Sequence, residues 1–348
     1  METNLKGATL KKTIIHYVGS KNNLDALHLS NTSLALDNET LEIIGDSFLS
    51  KFSTAVEFYQ FQHPSSLQYN EVYNYAAGLF LDKDSFEESS IQIAKHLYES
   101  STHPKVKGGE LYVCLFEGLP VEGRIVSAVG LFKTENKSLF LDVERNDNDF
   151  VLHMKEGVEI NKIDKGCLII NTNKEDGFDV LIFDNQNRGE EALYWKEKFL
   201  NLSPRKNEFH HTNHFLTLTK QYITEHLDDE FGVDKKEQIE LLTRSIDYFR
   251  SKETFDINEF QSEVFESDER IESFRNFGSK YVEKNDFDIT SSFDISTQAV
   301  KKQTRIYKSV LKLDKNFHIY IHGNTDLIEK GIEDDGRKFY KIYYKEEA

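Results

Sequence analysis

The sequence predicts an α+β protein of two domains, and changes of hydrophobic period are what predict it. Over residues 109–185 apolar residues alternate with polar ones, the period of a strand; from about residue 190 they recur at three- and four-residue spacing, the period of a helix. Strand-length runs joined by short polar links imply an antiparallel meander rather than a parallel sheet. With 348 residues, of which 38% are hydrophobic, the chain has room for two domains of ordinary size. The expected division is 1–203, an α+β domain with helices on one face of an antiparallel sheet, and 204–348, a helical domain ending in a small β-sheet.

The N-terminal runs TIIHYV and ALHLSNTSLAL read as strands joined by the polar turn GSKNN. In NETLEIIGDSFLSKF, Asn38 is the expected cap, and Leu41, Ile44, Phe48, Leu49 and Phe52 form a helical stripe. In DSFEESSIQIAKHLYES, Asp84 and Glu87 have capping-box spacing ahead of Phe86, Ile91, Ala94, Leu97 and Tyr98. The strand runs that follow are ELYVCLFEG, RIVSAVGLFKT, SLFLDVER, DFVLHMK, CLIINTN and DVLIFD. Amphipathic helices are expected through most of 206–280.

At 306–322 the period returns to two around Asp314-Lys315-Asn316. A three-residue loop opposes Leu313 to Phe317, Leu311 to Ile319 and Ser309 to Ile321, which gathers one apolar face. A two-residue loop would oppose Lys312 to Ile319 and mix the faces, so burial selects the first register. Leu311, Leu313, Phe317, Ile319 and Ile321 are expected inside; Lys308, Lys312 and Tyr320 are expected outside.

Net charge is −17. Such a chain attracts neither nucleic acid nor anionic membrane over most of its surface, so any contact with an anionic partner must be local. Charge is sorted along the chain. Residues 225–294 carry nine basic and twenty acidic side chains, whereas 296–315 carry Lys301, Lys302, Arg305, Lys308, Lys312 and Lys315 against Asp314 alone. Lysines on a hairpin also discourage edge pairing, which is the plainer explanation of part of this island. The clustering with Tyr307, Tyr320 and two histidines favours a partner surface.

No secretory leader is evident in METNLKGATLKKTIIHYVGS, and no run approaches the 18 apolar residues of a membrane span. Cys114 and Cys167 each sit in strand-like runs and are expected to be buried free thiols of a reducing compartment. A cytoplasmic protein is the expectation. Phosphate-binding glycine loops, GxSxG, HExxH and CxxC are absent, so no catalytic residues and no cofactor are predicted. His210, His211 and His214 form the one histidine cluster; His210 and His214 share a helix face, a spacing that could supply two metal ligands. No matching third ligand is evident, and a solvated or partner-facing helix start is the default.

Three segments resemble the bacterial nucleoid-associated protein family of the NdpA/YejK type: GGELYVCLFEGLPVEGRIVSAVGLF at 108–132, ALYWKEKFLNLSPRKNEFHHTNHFLTLTKQYI at 192–223, and FHIYIHGNTDLI at 317–328. The resemblance covers most of the chain. It implies a cytoplasmic, non-enzymatic protein of the nucleoid that binds double-stranded DNA, and a link to topoisomerase IV. It also marks Arg205 and Lys206 as that family's basic pair. The expected DNA contacts are therefore Arg205, Lys206, Lys301, Lys302, Arg305, Lys308, Lys312 and Lys315, touching phosphates without reading sequence. Two alternatives stand beside this reading. One is an interaction module docking its acidic helices on a basic partner such as topoisomerase IV. The other, weaker, is a metal-dependent hydrolase built on His210 and His214. The sequence does not fix the oligomeric state; a homodimer is open to it.

Overall fold

The continuous apolar runs LYVCLF, AVGLF and CLII become the middle of an eight-stranded sheet. Strands apolar at every position can only sit where both faces are covered. The computed structural model describes residues 5, 7–147, 149–185, 194–285, 287–307, 309–313, 315–321 and 327–346. Two compact units divide at Arg205 and Lys206: Met1–Arg205 and Lys206–Ala348.

In the first unit the strands are β1 (Thr9–Val18), β2 (Leu27–His28), β3 (Tyr59–Phe61), β4 (Gly109–Val121), β5 (Arg124–Thr134), β6 (Ser138–Asn146), β7 (Asp149–Gly157), β8 (Lys165–Ile170), β9 (Asp179–Asp184) and β10 (Leu202–Pro204). The large sheet runs β10-β3-β9-β8-β5-β4-β1-β2, and its pairings are antiparallel. The meander expected over 109–185 is interrupted. β5 pairs with β8, while among the described residues β6 and β7 pair only with each other. The reason lies in composition. β8 is buried at every position, whereas β6 and β7 carry Asp142, Glu144, Arg145, Lys155 and Glu156 and could not enter a doubly covered sheet.

Helices α1 (Asn38–Ser50), α2 (Glu71–Leu81) and α3 (Phe86–Ser100) cover this sheet. The α+β class holds, but helices lie on both faces rather than one. Phe48 and Leu49 of α1 pack with Cys114, Phe116, Phe132 and Leu168. α2 and α3 pack with Val113, Leu115, Leu131 and Cys167, the alternate positions of the same strands. Cys114 and Cys167 are thus buried free thiols on opposite faces. Burial pushes the Cys114 thiol up to about 12. Two caps differ from expectation. Asp37, not Asn38, caps α1 by accepting from Thr40 N at 2.7 Å. Asp82 caps a short 3-10 turn over Lys83–Ser85, so α3 begins only at Phe86 and Asp84 caps nothing there. Helix α2 has no counterpart among the sequence expectations; Asn70 caps it and also donates to Gln62 O and Leu200 O, both at 3.0 Å. Of ALHLSNTSLAL only Leu27 and His28 pair as strand.

The second unit holds α4 (Glu208–Gln221), α5 (Leu227–Phe231), α6 (Lys235–Ser251), α7 (Ile257–Phe265), α8 (Asp268–Asn285) and α9 (Thr297–Thr304). Its core is aromatic. The fully buried Phe215 ring lies 4.4 Å from Phe255 and 5.1 Å from Phe260, centroid to centroid, within the range where ring pairs add to simple burial. Small two-stranded sheets complete it: β11 (Thr254–Asp256) with β12 (Ser292–Asp294), β13 (Ser309–Leu313) with β14 (Phe317–Ile321), and β15 (Ile328–Ile332) with β16 (Lys338–Ile342). The β13–β14 register is the one burial selected: Leu313 opposes Phe317 and Leu311 opposes Ile319. Ile319 and Ile321 pack on Ile239 of α6 and Ile328. Ile319, Ile321 and Leu313 are only half-buried, so the expected inner face is partly covered, and Phe317 departs from it altogether. It stands at the loop end, beyond that small cluster, and is exposed, as Tyr320 is. Lys308 and the side chains of Leu311 and Lys312 lie outside the described residues.

Candidate nucleic-acid interface

Helix α9 is built to turn one face inward and one outward. Ser296 caps it, accepting from Ala299 N. Ala299, Val300 and Gln303 are buried. Gln303 Nε2 donates to Asn213 Oδ1 at 2.9 Å and to Thr217 Oγ1 at 3.0 Å, which fastens α9 to α4. Just beyond the helix the buried Tyr307 donates its hydroxyl to Leu216 O and pins the chain again. With those positions fixed inside, Lys301, Lys302 and Arg305 can only face solvent, and all three are exposed.

A groove of about 510 Å³ opens between α9 and the C-terminal end of α6, lined by Arg250, Lys252, Thr297, Lys301, Thr304 and Arg305 among others. Its cations are not equivalent. Arg250 pairs with Asp247 at 3.2 Å and reaches Thr304 Oγ1 at 3.5 Å. Lys252 is held by Glu259 at 2.7 Å and Glu263 at 3.3 Å. Lys301 and Arg305 have no ion pair among the described residues, and they sit one helical turn apart, about 6 Å along the axis. Lys302 stands outside the groove, its Nζ 5.3 Å from the centre of the Phe209 ring. Both α6 and α9 end here, and each helix C-terminus counts for roughly half a negative charge. Against these and the extra carboxylate beside Lys252 stand Lys301 and Arg305, with Lys302 beside the groove, so any positive excess here is small. The groove suits an anion, but a small footprint of it.

The other expected contacts lie elsewhere. Arg205 belongs to the first unit, where its guanidinium closes on Asp179. Lys206 opens the second unit and pairs with Asp288 at 2.9 Å. Lys315 is exposed in the β13–β14 turn, and Lys312 stands opposite His318 in the register. That hairpin rests on Ile239, eleven residues before Arg250 on α6, which separates the two basic elements by about 16 Å along that helix. The island that is continuous in sequence is thus divided between α9 and the hairpin. Arg250 and Thr304 were missed by sequence reasoning; Arg250 falls in the most acidic stretch of the chain, which hid it.

The histidine cluster does not converge on a point. His210 is buried, and its ring lies 4.2 Å from that of His214, which in turn stacks on Phe287. Burial first, then the neighbouring His214 and His211, pushes the His210 imidazole down to about 4. No group of three or more His, Cys, Asp or Glu among the described residues is placed to hold a metal ion. A second polar cluster is fully enclosed in the first unit. Lys133 and Lys165, cross-strand neighbours with no exposed side-chain surface, share Glu135 at 3.0 and 3.1 Å, and Tyr194 donates to the same carboxylate at 3.0 Å. Sealed from solvent, it ties the ends of β5 and β8 together. A larger cleft of about 1100 Å³ lies between α1 and the start of β1; its lining carries Glu42 and Asp46 against Lys11, so it does not suit a polyanion.

The family model of the nucleoid-associated protein YejK matches residues 14–337, nearly the whole chain. The chain belongs to that family. The match spans both units, and the groove on α9 falls inside it. No curated protein matches the chain. Among the described residues no helix is long and apolar enough to cross a membrane. The family establishes a nucleoid-associated role.

Proposed function

We propose that this nucleoid-associated protein is a non-enzymatic, cytoplasmic binder of double-stranded DNA that touches phosphates through the outer face of α9, without reading base sequence. The observation that carries the reading is the pair Lys301 and Arg305, exposed cations with no carboxylate partner among the described residues, in a groove of an otherwise acidic protein. Arg305 can offer a phosphate two parallel donors and Lys301 a point charge, a mixture that positions a backbone and carries no base information. Lys302, one residue on, extends the same contact; Lys308, Lys312 and Lys315 of the hairpin region would make a second, separate one. Arg205 and Lys206, committed to Asp179 and Asp288, contribute little.

The small local excess sets the scale. With about three phosphates neutralised, log affinity falls with log salt at a slope near −3, or roughly fifty-fold between about 50 and 200 mM. The test is a salt titration on two unrelated duplexes, comparing the native chain with Lys301→Gln/Lys302→Gln/Arg305→Gln. The expected result is a slope flattened by about three units and a loss of affinity equal on both duplexes. Equal binding by the two proteins would assign the α9 cations to solubility alone. The acidic helices α6 to α8 would then be the surface to pursue, with a basic protein such as topoisomerase IV as the partner.

A further inference from the structure

The β6–β7 hairpin leaves the sheet with its greasy side uncovered. Its register is continuous from Ser138↔Gly157 to Asn146↔Asp149, which sorts the side chains onto two faces. One face is mixed and carries Asp142, Glu144, Lys155 and His153 alongside Phe140 and Val151, with Lys155 paired to Asp142 at 2.5 Å. The other has eight paired positions, six of them apolar: Leu139, Leu141, Val143, Phe150, Leu152 and Met154. These six are 57–72% exposed. Single exposed apolar side chains are ordinary; six adjacent ones on one face of a two-stranded ribbon are not. A two-stranded ribbon is also at best marginally stable in water without something against its apolar face.

We propose that this face packs against the same face of a second copy of the chain, forming a two-fold dimer in which two hairpins stack as a miniature sandwich. Three observations select a second copy over other occupants. The first is area. At 57–72% exposure these six side chains present on the order of 700 Å², close to the roughly 800 Å² per partner of a standard interface. The second is the placement of charge. The two remaining positions on the apolar face are Arg145 near the turn and Glu156 near the base. A two-fold axis across the strands sets the tip of one hairpin over the base of the other. That arrangement brings Arg145 of each copy within reach of the partner's Glu156, and a face that bears both signs at opposite ends is complementary to itself. The third is the sign of the whole hairpin: residues 138–157 carry five acidic and two basic side chains, which disfavours an anionic lipid surface or a nucleic acid. Most of those acids point away from the apolar face, so they do not oppose the stacking of two copies.

The experiment is light scattering behind size exclusion on the full chain at micromolar concentration, with far-UV circular dichroism as the control for folding. The native chain is expected at twice the monomer mass. Leu141→Asp/Leu152→Asp is expected at monomer mass with an unchanged spectrum, since both residues are exposed within one copy. Arg145→Glu and Glu156→Arg are each expected to weaken the dimer at least tenfold, and Arg145→Glu/Glu156→Arg to restore most of it, a result that a structural role for either residue would not give. A native chain that is monomeric, or a dimer untouched by the Leu141/Leu152 variant, overturns the proposal. A monomer that co-sediments with neutral phosphatidylcholine vesicles also overturns it and makes the hairpin a lipid-facing element instead.

Discussion

Arg205 Nε lies 3.0 Å from Asp179 Oδ1, and this pair closes the end of the large sheet where β9 and β10 flank β3. Asp179 is buried, and its other oxygen accepts from Thr172 Oγ1 at 2.6 Å and Asn173 Nδ2 at 2.7 Å. The Arg205 side chain is 17% exposed and also donates to Gln60 Oε1 at 3.3 Å. A guanidinium so committed neutralises a carboxylate; it has little left to offer a phosphate.

Replacing Arg205 by Gln is therefore expected to act on stability and not on DNA. Removing one partner of a buried pair costs about 3–5 kcal/mol, and the residual exposure of Arg205 places the expected loss nearer about 2–3 kcal/mol. Urea unfolding of the first unit should report that loss, while the slope of log affinity against log salt stays where it was. A flattened slope with intact stability would return Arg205 to the interface.

Two lysines of one groove offer a sharper comparison. Lys252 is held between Glu259 and Glu263, whereas Lys301 has no such partner among the described residues. Lys301→Gln is expected to flatten the salt slope by about one unit. Lys252→Gln is expected to leave the slope unchanged and to weaken affinity slightly, because it uncovers two carboxylates near the groove. Equal effects would show that general charge, and not the free cation, governs binding.

Acid is expected to destabilise the second unit through His210. Burial and the neighbouring His214 and His211 hold its imidazole down at about 4, below its ordinary 6.5. The unfolded chain therefore binds more protons than the folded one at mildly acidic pH, and stability rises with pH across that window. The contribution is complete above about 6.5 and is lost progressively as pH falls toward 4. Urea midpoints measured at neutral pH and near pH 5 should separate, and His210→Phe, which fits the ring contact with Phe287, should narrow the gap. His16 in the first unit, also lowered to about 4 by burial, gives a parallel loss there, so probes local to each unit are needed.

The sequence by itself determined what local pattern can determine. Period-two and period-3.6 runs foretold most of the strands and helices, α2 excepted, and the β13–β14 register followed from one face having to be apolar. The sorting of charge was legible as well: an acidic chain with one basic island near its end. Tertiary structure decided which strands are neighbours. β6 and β7 look in sequence like any other pair of alternating strands, and only the competition for the doubly buried place beside β5, won by β8, whose single charged residue Lys165 is paired with Glu135, expels them into solvent. It also decided which cations are free. Lys, Arg and their counter-charges are far apart in the chain, as Arg205 and Asp179 are, and a carboxylate that spends a positive charge leaves no trace at the sequence position of the lysine or arginine it neutralises. A linear count of charge finds the region of an interface; the pairing that decides which side chains in it can meet a phosphate exists only after folding.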